Sequence, residues 1–159
     1  MSVRRLHQYL NKSKTDFVTI IHPPVETAVD VANATHVPDC KMAKTVIVSL
    51  DRKLTMVVVP SDRDVDLKAV RKFAGATEAH FVPESEFAFR FPPCGVGAMP
   101  PFGKLYNMPE IMDKSVLERS EVTFNACSHR EAITMKSLDL QRLANPQIAC
   151  VSKEGAIRR

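Results

Sequence analysis

Read with a period of two, the stretch AKTVIVSLD puts Lys44, Val46, Val48 and Leu50 on one face and Thr45, Ile47, Ser49 and Asp51 on the other. A second apolar run, Leu54 to Pro60, follows after Asp51, Arg52 and Lys53, so the segment reads as two strands folded on each other. The turn is weaker than an Asp-Gly hairpin, because Arg52 resists positive φ. Lys44 falls on the more apolar face. An ammonium is costly to bury alone, so this lysine belongs at the wet end of its strand, in an ion pair or in a pocket. On the pattern alone, a strand-entry lysine snorkelling to water is the simplest of these.

The remaining periodicity predicts short elements of both kinds. Leu6 and Leu10 mark an amphipathic helix over Val3 to Asn11, and Asp16 to His22 reads as a strand stopped by Pro23 and Pro24. Thr27 caps a helix through Ala34. After the strand pair, Leu67, Val70 and Ala74 give a helix from Val65 to Phe73, closed by Gly75. Ala79 to Val82 is a short strand. Pro83, Glu84 and Glu86 favour a helix toward Phe91, whereas the alternation of Phe87, Phe89 and Phe91 fits a strand. Strands follow at Glu110 to Met112, Glu121 to Asn125 and Glu131 to Lys136, with a helical turn at Ser115 to Arg119 and a helix from Leu138 to Ala144 capped by Ser137. Helices scattered among short strands, without regular βαβ alternation, predict an α+β fold with a mixed or largely antiparallel sheet. Residues 1–150 form one expected domain, and 151–159 an expected flexible polar tail.

Composition narrows the function classes. The 159 residues, 45% hydrophobic and 25% charged, suit one globular domain with a full core. No segment approaches the ~18 apolar residues of a membrane span, and the basic N-terminus lacks an apolar signal region, so a cytoplasmic protein is expected. The net charge of +4 tilts the field toward anionic partners. Arg4, Arg5, Lys68, Arg71, Lys72, Arg158 and Arg159 offer only a diffuse basic surface for them. Cys40, Cys94, Cys127 and Cys150 form no C-x-x-C pair, which writes neither a zinc site nor a redox motif and reads as reduced thiols. The histidines His7, His22, His36, His80 and His129 have no i,i+4 pair for a metal, so no metal or cofactor is expected. Gly95, Gly97 and Gly103 are too irregular for a dinucleotide fingerprint.

Within PPCGVGAMPPFG, Pro92 to Gly103, which is too rich in proline and glycine for regular structure, the loop Gly95 to Gly103 is where chemistry is expected. Its glycines let a ligand approach backbone amides, and Pro100 and Pro101 stiffen it, a combination that suits cradling a carbonyl oxygen or a phosphate. Most such loops only turn the chain. Cys94, beside the loop, is the least implausible nucleophile, and Asp113 ends the strand after the loop, where a carboxylate can orient a partner.

Taken in order, Lys44 heading a strand, Gly97, Ala98, Met99, Pro100, Pro101, Phe102 and Gly103, then Asp113 and the run FNACSHREAITM resemble the YbaK-type aminoacyl-tRNA deacylases, relatives of the editing domain inserted in bacterial prolyl-tRNA synthetases. The resemblance runs from His22 to Ala144 and implies a mixed, largely antiparallel barrel-like sheet surrounded by helices. It implies hydrolysis of the ester between a wrongly attached small or polar amino acid and the 3′ end of a tRNA. It also implies that Lys44 is the residue on which activity depends and that Gly97 to Pro101 position the aminoacyl group, with Met99, Phe102, Asp113 and Asn125 as pocket candidates. The implied partners are mischarged tRNA and an aminoacyl-tRNA synthetase, with neither membrane nor DNA. A binding module that grips tRNA ends or a synthetase without turnover is the alternative. One departure stands out: relatives usually carry glycine where this chain has Cys127, so the turn there, and the preferred amino acid, are open.

Overall fold

The computed structural model describes residues 3–25, 27–91, 94 and 97–155. Gly95, Arg158, Arg159 and the end of the expected tail lie outside the described residues. In chain order the elements are α1 Val3–Lys12, β1 Phe17–Ile21, α2 Ala28–Thr35, β2 Ala43–Leu50, β3 Lys53–Pro60, β4 Arg63–Val65, α3 Leu67–Ala74, β5 Ala79–Phe81, α4 Glu84–Phe87, β6 Glu110–Asp113, β7 Glu121–Asn125, β8 Glu131–Lys136, α5 Ser137–Ala144, β9 Gln147–Ala149 and β10 Ser152–Glu154. This is the α+β organisation the periodicity predicts.

Local chemistry accounts for most boundaries. Thr27 caps α2 by accepting from the Asp30 amide, and Gly75 ends α3 in the left-handed conformation at φ 67°. The cap at the start of α3 is Asp66, whose carboxylate accepts from the Ala69 amide. The phenylalanine alternation resolves as one helical turn continued by a 3-10 turn over Ala88–Arg90: Phe87 and Phe91 are buried while Phe89 is exposed. In the β2–β3 hairpin, Asp51 and Arg52 both take positive φ, 48° and 71°. The strain is offset by the Asp51 carboxylate, which accepts from the Thr77 and Glu78 amides and so lies below its ordinary pKa.

Two sheets share the main core. One runs β1-β8-β7, all antiparallel; the other runs β5-β2-β3-β6-β9, antiparallel except that β6 is parallel to β3 and to β9. A parallel bridge between Met42 and Thr123 joins them at the start of β2. Between them pack Ala43, Ile47, Met56, Val58, Phe124 and Ile133, with Leu6 and Leu10 of α1. Val48, Val57, Val59 and Val65 form a second cluster on the opposite face of β2 and β3, and Met42, Val31, Ala32 and Ala132 form a third under α2.

The chain past Ala149 departs from the expected flexible tail. Val151 is fully buried, and β10 pairs with β4 through Ser152, Lys153 and Glu154. Strands of three residues carry too little periodicity to stand out in a polar sequence; their pairing partners are what order them. Among the described residues no helix is long and apolar enough to cross a membrane.

Candidate functional site

The Met42–Thr123 bridge determines which polar residues share a face. Bridged partners point the same way and side chains alternate, so Lys44 and Asn125, each two residues further on, stand on one face, while Ala43 and Phe124 point into the main core. The Lys44 side chain is 18% exposed, and its Nζ lies 3.4 Å from Asp64 Oδ1. The ammonium is therefore neither snorkelling freely nor buried alone. It borders a cleft of about 320 Å³ whose other walls are Val46, Asp64, Val65, Phe81 and Lys153.

The glycine-proline loop is tied to the end of β7 and the turn that follows it. Asn125 Nδ2 donates to the Gly97 carbonyl at 3.3 Å, and the Cys127 amide donates to the Ala98 carbonyl at 2.9 Å. Gly97 takes φ 82°, a conformation open to glycine. Among the described residues none accepts a hydrogen bond from the amides of Gly97, Ala98 or Met99. Ala98, Met99 and Phe102 are buried, and the Phe102 ring meets Tyr9 and Phe124 edge-on at 5.8 and 5.6 Å. Met99 and Phe102 belong to the main core.

Two histidines with no local signature join this group. The His22 amide donates to the Arg130 carbonyl and the Val25 amide to the His129 carbonyl, which lays the exit of β1 along the β7–β8 turn. His22 Nε2, His129 Nδ1 and Asn125 Oδ1 are buried and find no partner among the described residues. Buried polar atoms seldom go unsatisfied, and these three belong to residues on or beside the β7–β8 turn. Nothing in the sequence pairs positions 22 and 129, because only the β1–β8 ladder brings them together.

Asp113 has a fastening role. Its Oδ1 accepts from the amides of Val151 and Ser152 at 2.7 and 2.9 Å, and its Oδ2 from the amide and hydroxyl of Ser115. Burial works to raise this carboxyl, but the bonds from Ser115 and Val151 hold it below its ordinary value.

The cysteines overturn the expectation of four reduced thiols. Cys94 and Cys127 form a disulfide, with Cα atoms 4.5 Å apart, and Cys40 and Cys150 are free. Cys94 is thus not a nucleophile in this state. The bond also accounts for the non-glycine turn: Cys127 sits at φ 67°, where a Cβ is disfavoured, and its side chain ties the turn to the residue that precedes the loop. The spacing in sequence carries no sign of this pairing.

The far end of the loop is held by Glu110, which accepts from the Gly103 amide at 2.7 Å. A Cβ on Gly103 would meet the Met108 carbonyl oxygen at 2.6 Å, so the contact requires glycine. Burial raises the Glu110 carboxyl to about 8, against the lowering influence of the Gly103 bond. A folded pKa above the unfolded one means the native state binds the extra proton. Stability is therefore expected to fall as pH rises from about 5 to about 8. Thermal unfolding across that range should show the slope in wild type and lose most of it in Glu110→Gln; equal slopes would remove Glu110 as its source.

The fold is one seen before in crystals. It matches the structure of hypothetical protein APE2540 with a TM-score of 0.82 at 19% identity, covering 94% of this chain and 99% of that one. It matches a candidate trans-editing enzyme for prolyl tRNA synthetase with a TM-score of 0.81 at 18% identity, covering 95% and 96%. No curated protein matches the chain. The family model of the aminoacyl-tRNA editing domain matches residues 22–143, and the chain belongs to that family.

Proposed function

We propose that this protein is an aminoacyl-tRNA deacylase acting in trans, which hydrolyses the ester between a mischarged small or polar amino acid and the 3′ end of a tRNA. The observation that carries this reading is the Lys44 ammonium, held by Asp64 on the sheet face that also bears Asn125, in a chain of the editing-domain family. An aminoacyl ester is already activated, so the site has to position it, admit a water and stabilise charge on the carbonyl oxygen. The amides of Gly97 and Ala98 suit the oxygen, and Lys44 suits the terminal phosphate or the carbonyl as a fixed cation. The ion pair with Asp64 fixes the ammonium in place, which suits a cation that orients or stabilises charge. The unpartnered atoms of His22, Asn125 and His129 are suited to the aminoacyl group or the attacking water.

The test is a panel of tRNAs mischarged with alanine, serine, threonine and cysteine, incubated with the protein and followed by loss of the aminoacyl ester. Turnover of at least one is expected. No turnover, together with tRNA binding that weakens steeply with salt, would instead favour a binding module.

A further inference from the structure

The cleft beside Lys44 also holds two side chains, Phe81 and Lys153, that the proposed ester hydrolysis leaves without a role. Phe81, on the edge strand β5, is the direct partner of Val48, so its ring stands on the same face as Val46 and Lys44. It is 55% exposed, although an apolar ring on a sheet edge gains nothing from water. Lys153 is the partner of Asp64 across the β4–β10 ladder, which turns both side chains to one side. The buried Val65 and the half-buried Val46 complete an apolar floor under this ring and these charges. Among the described residues, two ammoniums against one carboxylate leave the cleft net positive.

We propose that this cleft receives the 3′-terminal nucleotide of the aminoacyl-tRNA, with its base stacked on Phe81 and its phosphate held by Lys153. The inference rests on the deacylase reading and deepens it. A single-stranded nucleotide presents a flat π-face and an anion a few ångströms apart. A sequence-tolerant site for it combines an exposed aromatic with a nearby cation. The scissile ester hangs from the ribose of that same nucleotide, so the two subsites must lie within one nucleotide's reach. Lys44 satisfies this, because it lines the cleft together with Phe81 and Lys153. Asp64 does not oppose the phosphate, because its charge is engaged by Lys44.

The experiment uses a labelled RNA microhelix ending in the single-stranded CCA of a tRNA acceptor, and the same RNA lacking its terminal adenosine, with affinities read by fluorescence anisotropy. Phe81→Ala is expected to bind the complete RNA about tenfold more weakly than wild type, with Phe81→Tyr restoring affinity. Removing the adenosine should cost wild type a similar factor and cost Phe81→Ala little more. Lys153→Ala should reduce the salt dependence of binding by about one phosphate contact. With a tRNA that is turned over, Phe81→Ala should raise KM while kcat changes little. The proposal is overturned if Phe81→Ala binds both RNAs as wild type does, or if trimming costs both proteins equally. Binding that follows these expectations without turnover of any mischarged tRNA would sustain the cleft and sink the deacylase reading, so the two fail separately.

Discussion

Lys44→Ala is expected to lower the rate of deacylation by about 10²–10³-fold on whichever mischarged tRNA the wild type hydrolyses, the range seen when one preorganised charge-stabilising donor is removed. The effect should fall mainly on kcat if Lys44 meets charge that develops on the carbonyl, and mainly on KM if it holds the phosphate. Lys44→Met is the shape-matched control, because it keeps the aliphatic stem over Val46. Neither change should unfold the protein: the Lys44–Asp64 pair is partly solvated, and Asp64, 31% exposed, can be rehydrated when its partner goes. Asp64→Asn should lie between wild type and Lys44→Ala, since it leaves the cation present but less well oriented. A Lys44→Ala protein that turns over at the wild-type rate would end the mechanism proposed for this site.

The second large effect concerns stability. A disulfide that closes a 33-residue separation removes conformational freedom from the unfolded chain, worth about 2–4 kcal/mol. Cys94→Ala is therefore expected to lower Tm by roughly 5–15 °C. Cys127→Gly breaks the same bond but also relieves a side chain at φ 67°, so it should recover about 1 kcal/mol relative to Cys94→Ala. Wild type treated with a dithiol reductant should approach Cys94→Ala, and both variants should be indifferent to the reductant. Thiol labelling provides the count: Cys40 and Cys150 react before reduction, all four cysteines after it. A wild-type Tm unmoved by reductant would show that the bond contributes nothing in solution. Because Cys94 adjoins the loop and Cys127 donates to Ala98, the same samples also reveal whether the bond holds the loop in its working position.

Legibility in the sequence followed the range of the interactions. The β2–β3 hairpin, α1, the caps at Thr27 and Gly75 and the face on which Lys44 stands all depend on neighbours within a few residues, and these were readable from periodicity and turn chemistry. The resemblance of Lys44, the Gly97 to Pro101 loop and FNACSHREAITM to the editing domains pointed to the family. The short strands β4, β9 and β10 were not readable, because a three-residue strand is ordered by its partner and not by its own pattern. Asp113 was expected as a pocket candidate, and it carries the burden of fastening Val151 and Ser152 to β6.

By itself, then, the sequence determined the α+β class, the apolar face that carries Lys44 and the glycine-proline stretch proposed to serve it. Only the tertiary structure decided that Lys44 pairs with Asp64, that His22 and His129 meet at one turn, that Cys94 bonds Cys127, and that Phe81 and Lys153 border the Lys44 cleft. Each of these joins residues from separate strands or loops, and such contacts exist only once the sheets have paired in register. A one-residue slip of β2 would turn Lys44 into the core and dissolve the site.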